Sequence, residues 1–164
     1  IRFKNKTLQM RRKEREIRDI VEIEEVIRKS DVCRVSFANN DFPYMVTMNF
    51  GYRNDNGKRI YFHCSTEGKK LEMMDKNNLV CFEFDTGHIL SEGIDACDFG
   101  MAYRSVVGWG SLSRVTGMEE REEGLLAIME HYSGRRNFSF KPGILARTLV
   151  LKLEITEMTG KRCQ

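Results

Sequence analysis

The chain is predicted to fold as a mainly antiparallel β-barrel or sandwich with a few short helices, on three observations. Short runs rich in β-branched and aromatic residues recur between clusters of turn residues, which is the pattern of hairpin-connected strands. Helical periodicity is confined to a few brief segments. No G-x-G-x-x-G opens a helix after a strand, and Gly108-Trp109-Gly110 lies inside a strand pattern, where glycine marks a bulge or a close approach. A parallel nucleotide-binding sheet is therefore set aside.

The elements follow in order. Asp19-x-x-Glu22 reads as a capping box, with Ile20, Ile23, Val26 and Ile27 on one face of a first helix ending near Ser30. Strands are expected at Val32–Phe37, Tyr44–Asn49, Arg59–Cys64 and Leu79–Asp85. Asn39-Asn40-Asp41 and Asn54-Asp55-Asn56-Gly57 supply turns. A second helix covers about 68–76, and a turn-rich loop at about 86–102 is placed to close over a site. Ser105–Val115 is the next strand, Thr116 and Glu119 cap a helix with Leu125, Leu126, Met129 and Tyr132 on its apolar face, and Gly134 stops it. Alternation at Leu149, Leu151, Leu153 and Ile155 gives the last strand.

At 164 residues, 41% of them hydrophobic, the chain has enough material for one core. Pro43 and Pro142 are the only prolines, and no low-complexity linker or repeat marks a boundary. The expected organisation is a basic N-terminal arm, 1–16, and one domain, 17–164. The net charge is +3, but the arm holds seven Lys/Arg against two Glu, leaving the body about −2. A nucleic-acid binder spreads basic residues over a folded face among aromatics, so no nucleic-acid partner is expected, and Arg2 to Arg15 reads as a solvated terminus or a partner contact. Cysteines at 33, 64, 81, 97 and 163 show no C-x-x-C or Cys/His spacing, so they read as reduced thiols with no metal site. No apolar run approaches about 18 residues, and the N-terminus lacks the apolar core of a signal peptide, so a cytoplasmic location without membrane partners is expected.

The most informative stretch is Ile60-Tyr-Phe-His-Cys-Ser-Thr-Glu-Gly-Lys-Lys-Leu-Glu-Met-Met74. A strand pattern runs through a small polar turn into a helix whose first turn carries two lysines. Helix starts carry unpaired N–H groups and a partial positive charge, so Lys69 and Lys70 are badly placed unless an anion compensates them. The two ammonium groups, the hydroxyls of Ser65 and Thr66 and amides around Gly68 suit a phosphate. The plainer alternative is a solvated lysine pair offset by Glu67. His63 alternates with Phe62 on the strand, so one of the two faces the core. His88 and His131 have no ligand-spaced partners and read as surface or helix residues. Cys81, between Val80 and Phe82, reads as a small packing residue.

Met10-Arg-Arg-Lys-Glu-Arg-Glu-Ile17, Phe42-Pro-Tyr-Met-Val-Thr-Met-Asn-Phe-Gly-Tyr52, the His63…Gly68-Lys-Lys70 run and Tyr103-Arg-Ser-Val-Val-Gly-Trp-Gly110 together resemble the 5-nitroimidazole resistance proteins. That group belongs to the pyridoxamine 5′-phosphate oxidase-like flavin-binding split barrels. The resemblance runs from about residue 10 to Lys161, in the expected order and spacing. It implies an antiparallel FMN-binding split barrel and a homodimer with flavin, FMN or the larger FAD, at the subunit interface. By the same resemblance Lys69 and Lys70 fall at the flavin phosphate, with Cys64 and Ser65 in the flavin-side turn. Val46, Thr47, Met48 and Asn49 fall beneath the ring, where main-chain groups would meet its polar edge. Ser105 and Trp109 reach the flavin from a later strand, and His63 lies near the reactive face, as the candidate catalytic and cofactor-contacting residue.

Two departures stand out. The nitroimidazole group commonly has His-Gly-Ala where this chain has His63-Cys64-Ser65. The C-terminal Trp and Arg-Leu substrate motif of true pyridoxamine phosphate oxidases is absent, which argues against vitamin B6 oxidation. The activity implied is reduction of a small-molecule nitroaromatic, such as a 5-nitroimidazole, by reduced flavin. The alternative is a flavin- or haem-binding module without turnover.

Overall fold

The computed structural model describes residues 10–38 and 42–163. The expected turn Asn39-Asn40-Asp41 and most of the basic arm lie outside them. A short 3₁₀ turn at Lys13–Arg15 leads into β1 (Glu16–Ile17), so the boundary expected after residue 16 falls inside a strand. There follow α1 (Ile20–Lys29), β2 (Cys33–Phe37), β3 (Tyr44–Met48), β4 (Gly51–Arg53), β5 (Arg59–Cys64), α2 (Lys69–Lys76), β6 (Leu79–Ser91), β7 (Gly100–Arg114), α3 (Met118–Ser133), α4 (Pro142–Arg147) and β8 (Leu149–Cys163). The expected strands and the three expected helices are all present, and β1, β4 and α4 are additional.

All strand pairs are antiparallel, in the order β3-β2-β6-β7-β8-β5-β4, with β1 added on β8. β3 and β4 lie at opposite ends of this path, yet only Asn49 and Phe50 separate them in sequence. Three residue steps reach at most about 11 Å, so the sheet must curl until its two ends meet. Phe50 fills that seam fully buried, 4.7 Å from the Phe84 ring and 4.2 Å from His131. Alternation sends Val35, Phe82, Phe84, Val106, Leu151 and Leu153 into the barrel. Burying each such side chain stabilises the fold by roughly 1.5–3 kcal/mol.

α1 closes the barrel with Ile23, Val26 and Ile27. Its capping box is half formed. Val21 N–H donates to Asp19 Oδ1 at 2.9 Å, but Glu22 turns away to accept from Arg162 at 2.8 and 3.0 Å. A half-buried ion pair with Arg162 near the end of β8 draws that carboxylate from the cap. α3 packs outside the barrel on Tyr61 and Val150, with Ala127 inward. Its expected Thr116/Glu119 cap does not form, because Gly117 is the N-cap and has no side chain to donate or accept. Gly134 does stop the helix, in the left-handed region at φ 68°, its N–H donating to Glu130 C=O at 2.8 Å.

The loop expected at 86–102 is mostly strand. β6 runs on to Ser91 and β7 starts at Gly100, leaving a 3₁₀ turn at Ala96–Asp98 as the tip of a long hairpin. Thr86-Gly87-His88 reads as a loop because it is a bulge. The register shifts between Thr86 and Ile89, and Gly87 takes φ 70°.

Candidate functional site

The turn from β5 to α2 forms around Gly68, whose φ of 130° lets the chain reverse and whose carbonyl accepts from Leu71 N–H at 2.9 Å. Lys69 and Lys70 then open an eight-residue helix with no side-chain cap. Among the described residues neither lysine is in an ion pair, and Glu67 does not offset them. Lys69 Nζ stands 5.0 Å from the Tyr44 ring centre at the start of β3. Ser65, Thr66 and Lys69 are exposed and Lys70 is half-buried. Two unneutralised ammonium groups, two hydroxyls and a free helix start thus share one surface.

Cys64 turns the other way. It packs against the barrel core beside Leu149, and burial pushes its thiol pKa up against the lowering charges of Lys70 and Arg114. His63 is exposed and shares the outer, α3-side face of β5 with Tyr61, while Phe62 is the one that faces the core.

β3 pairs only with β2, so one side of its backbone is open among the described residues. Thr47 and Asn49 are exposed, Val46 is half-buried and Met48 is in the core, so Met48 offers main-chain groups alone. Ser105 and Trp109 lie on the outer face of β7, both half-buried. Trp109 stands opposite Cys81, in one row with Ser36 and Met45, and Cys81 therefore sits on the outer face rather than in the core. Register shifts at Trp109/Gly110, where an added Cβ on Gly110 would lie 2.2 Å from Glu154 C=O. The expected bulge and close approach are both there.

The candidate residues fall into two groups. His63 and Cys64 pair with Val150 and Leu149, at the start of β8; Trp109 and Ser105 pair with Glu157 and Lys161, near its end. Seven to eleven residues of strand separate His63 from them, on the order of 23–36 Å of path. Along β8, then, one chain keeps His63 apart from Ser105 and Trp109, whereas Lys69 at Tyr44 stands one residue from Met45, which shares the cross-strand row of Trp109. The clefts at the end of α2 and at the N-terminal arginines hold neither His63 nor Lys69. One of about 680 Å³ lies between the end of α2 and Arg114, and one of about 320 Å³ lies at Arg11, Arg12, Arg15 and Lys161.

Two residues near the α2 turn escaped the sequence reading. Tyr44 had no signal beyond its β-propensity, and Arg114, held by Asp75 at 2.5 and 3.0 Å, needed the β7–α2 contact to be seen. His88 lies 3.0 Å from Asp85, an i, i+3 partner created by the bulge.

Residues 19–162 match the family model of pyridoxamine 5′-phosphate oxidase. The chain belongs to that family. Among solved structures, it is similar to a candidate 5-nitroimidazole antibiotic resistance protein from Bacteroides thetaiotaomicron, 36% identical over 90% of this chain and 86% of that one, with a TM-score of 0.78. The flavocytochrome Anf3 from Azotobacter vinelandii shares the fold at 18% identity, over 94% of this chain and 72% of that one, TM-score 0.76. An FAD and haem binding protein from Mycobacterium smegmatis does so at 15% identity, over 92% and 74%, TM-score 0.79. No curated protein matches the sequence. The split-barrel fold expected for this family is therefore the fold observed. No described helix is long and apolar enough to cross a membrane.

Proposed function

We propose that this member of the pyridoxamine 5′-phosphate oxidase family binds a flavin, FMN in the first instance, and passes electrons from its reduced form to a small nitroaromatic such as a 5-nitroimidazole. The observation that carries the cofactor is the α2 start. Lys69 and Lys70 stand there without carboxylate partners beside Ser65, Thr66 and uncapped amides, a donor set that fits a phosphate. The open edge of β3 offers main-chain groups to the polar edge of a planar ring. Bound flavin supplies the electron transfer. The chain's own residues hold the phosphate, orient the ring and, through the exposed His63, present a proton donor to substrate. The nitroaromatic substrate is supported by the 36% identity to the Bacteroides protein.

The reading includes a homodimer. His63 lies far along β8 from Ser105 and Trp109, so one cleft that uses both needs a second copy. The hairpin tip supports this, since Ile89, Leu90, Ile94, Phe99 and Met101 are all exposed there, Ile94 at 99%. A two-stranded ribbon is marginal alone in water, and packing on a partner would stabilise it.

The purified protein should show flavin absorption. Lys69→Ala/Lys70→Ala removes two charge-assisted contacts worth very roughly 1.5–3 kcal/mol each, so flavin affinity should fall at least about tenfold. A folded double variant with unchanged flavin retention refutes the phosphate assignment. The second reading, a binding module without turnover, is favoured by the haem-binding neighbours. A Soret band, or flavin without nitro reduction in the presence of a competent reductant, decides for it.

A further inference from the structure

The cleft at Met10, Arg11, Arg12, Arg15 and Lys161 contains none of the flavin-site residues, although Lys161 is the cross-strand neighbour of Ser105. Among the described residues none of its four cations meets a carboxylate; Arg104, Arg121, Arg135 and Arg147 also lack one but are scattered, whereas these four line one cleft. Glu16, next to the cleft in sequence, is taken by Arg18 at 2.8 Å. The chain therefore gathers like charges here and supplies nothing nearby in sequence, beyond Glu14, to neutralise them.

The gathering is held in place. Arg15 N–H donates to Arg12 C=O at 3.1 Å, and β1 pairs Glu16 with Lys161 and Ile17 with Gly160. Ile17 is buried, and an added Cβ on Gly160 would lie 2.8 Å from Ile17 Cβ, a close approach that only glycine permits. Lys161 Nζ lies 5.7 Å from the Tyr103 ring centre. Confining four cations costs free energy by mutual repulsion unless an anion is bound, and the guanidinium fork matches phosphate oxygens. A volume of about 320 Å³ suits a small anion, and the near-neutral body of the chain offers no extended basic face for a nucleic acid.

We propose that this cleft is a second anion site, taking the phosphate or pyrophosphate group of a small phosphorylated ligand while the α2 turn holds the flavin phosphate. Lys161 pairs with Ser105, twelve residues along β8 from Leu149 beside Cys64, so within one chain the two cationic loci are far apart. The proposal rests on the flavin reading only in assigning the flavin phosphate to the α2 turn.

The test is calorimetric titration of inorganic pyrophosphate into the flavin-saturated protein at low ionic strength. Saturable binding of about one equivalent per chain is expected, weakening as salt rises. Arg12→Gln/Arg15→Gln should lower that affinity at least about tenfold with flavin content unchanged, and Arg11→Gln alone, outside the hydrogen-bonded turn, should lower it in the same direction. Lys69→Ala/Lys70→Ala should leave it within about twofold while flavin is lost. Absence of saturable binding, or equal binding in the arginine variants, overturns the proposal. Displacement of pyrophosphate by flavin also overturns it, making this cleft the flavin's own phosphate site. Failure of the wild-type protein to take up flavin refutes the flavin reading alone, since pyrophosphate binding is then still read on the apoprotein.

Discussion

His131 shows how one side chain couples acidity to the fold. Half-buried on α3, its ring lies 4.2 Å from Phe50 in the barrel seam, and Nε2 is 2.9 Å from Ser30 C=O at the end of α1. Burial lowers its pKa below the usual 6.5, with the Ser30 carbonyl and Asp31 partly opposing. The neutral ring, donating from Nε2, is the form that folds. The unfolded chain therefore binds more protons just below pH 6.5, and stability is full above that value and falls as pH drops through it toward the lowered pKa. Urea midpoints measured from pH 8 to 5 should show this loss, and His131→Gln should flatten it. His63 is exposed on β5, with no hydrogen bond or ion pair among the described residues. His63→Ala should keep bound flavin and thermal stability and slow nitroimidazole reduction by around 10²-fold. An unchanged rate per bound flavin assigns His63 to the scaffold. At this scale the lysine pair could be read from sequence, since helix-start electrostatics are local. The inward turn of Cys64 and the outward place of Cys81 could not, because a period-two pattern does not say which face is the core until the partner strands are known.

Among the elements, α3 is bound to the sheet where side chains vanish. An added Cβ on Gly51 would stand 2.3 Å from the Ala127 carbonyl carbon, so β4 and the α3 backbone meet directly. Arg53 then reaches Glu123 at 2.8 Å and Glu130 at 2.7 Å, and Arg136 closes the ring of charges on the same two glutamates. Gly51→Ala cannot be relieved by a rotamer change and should cost about 3 kcal/mol or more, a fall in Tm of roughly 6–12 °C by calorimetry. A fall below about 2 °C would show that α3 shifts freely. β4 itself was not legible, as three residues after a strand carry no period, and α4 is a six-residue helix at Pro142-Gly143. The ends of β6, β7 and β8 were read short for another reason. Their continuations are polar or exposed, and strand geometry there comes from pairing with one another rather than from burial. The anchored Arg12–Arg15 turn was hidden similarly, since its order depends on β1 meeting Gly160.

For the whole molecule, the strand pattern alone left barrel and sandwich open, because closure depends on a two-residue link between the end strands of the sheet, and it was the family resemblance that chose the split barrel. The same closed barrel sets His63 and Cys64, just before the α2 turn, at one end of β8 and Ser105 and Trp109 at the other. In the proposed twofold dimer the β5–α2 turn of one chain would meet Ser105 and Trp109 of its partner, and would do so twice. Light scattering should then give twice the chain mass, and complementation should follow. Take Lys69→Ala/Lys70→Ala as one variant and Ser105→Ala/Trp109→Ala as the other, each alone deficient in flavin. When equal amounts are unfolded together and refolded, half of the dimers are mixed, and each mixed dimer holds one cleft with both groups intact and one with both lost. Flavin bound should recover to about a quarter of the wild-type amount. If each cleft were built within one chain, mixing would restore nothing, and recovery indistinguishable from the separate variants would refute the shared cleft while leaving the phosphate role of the lysines untouched.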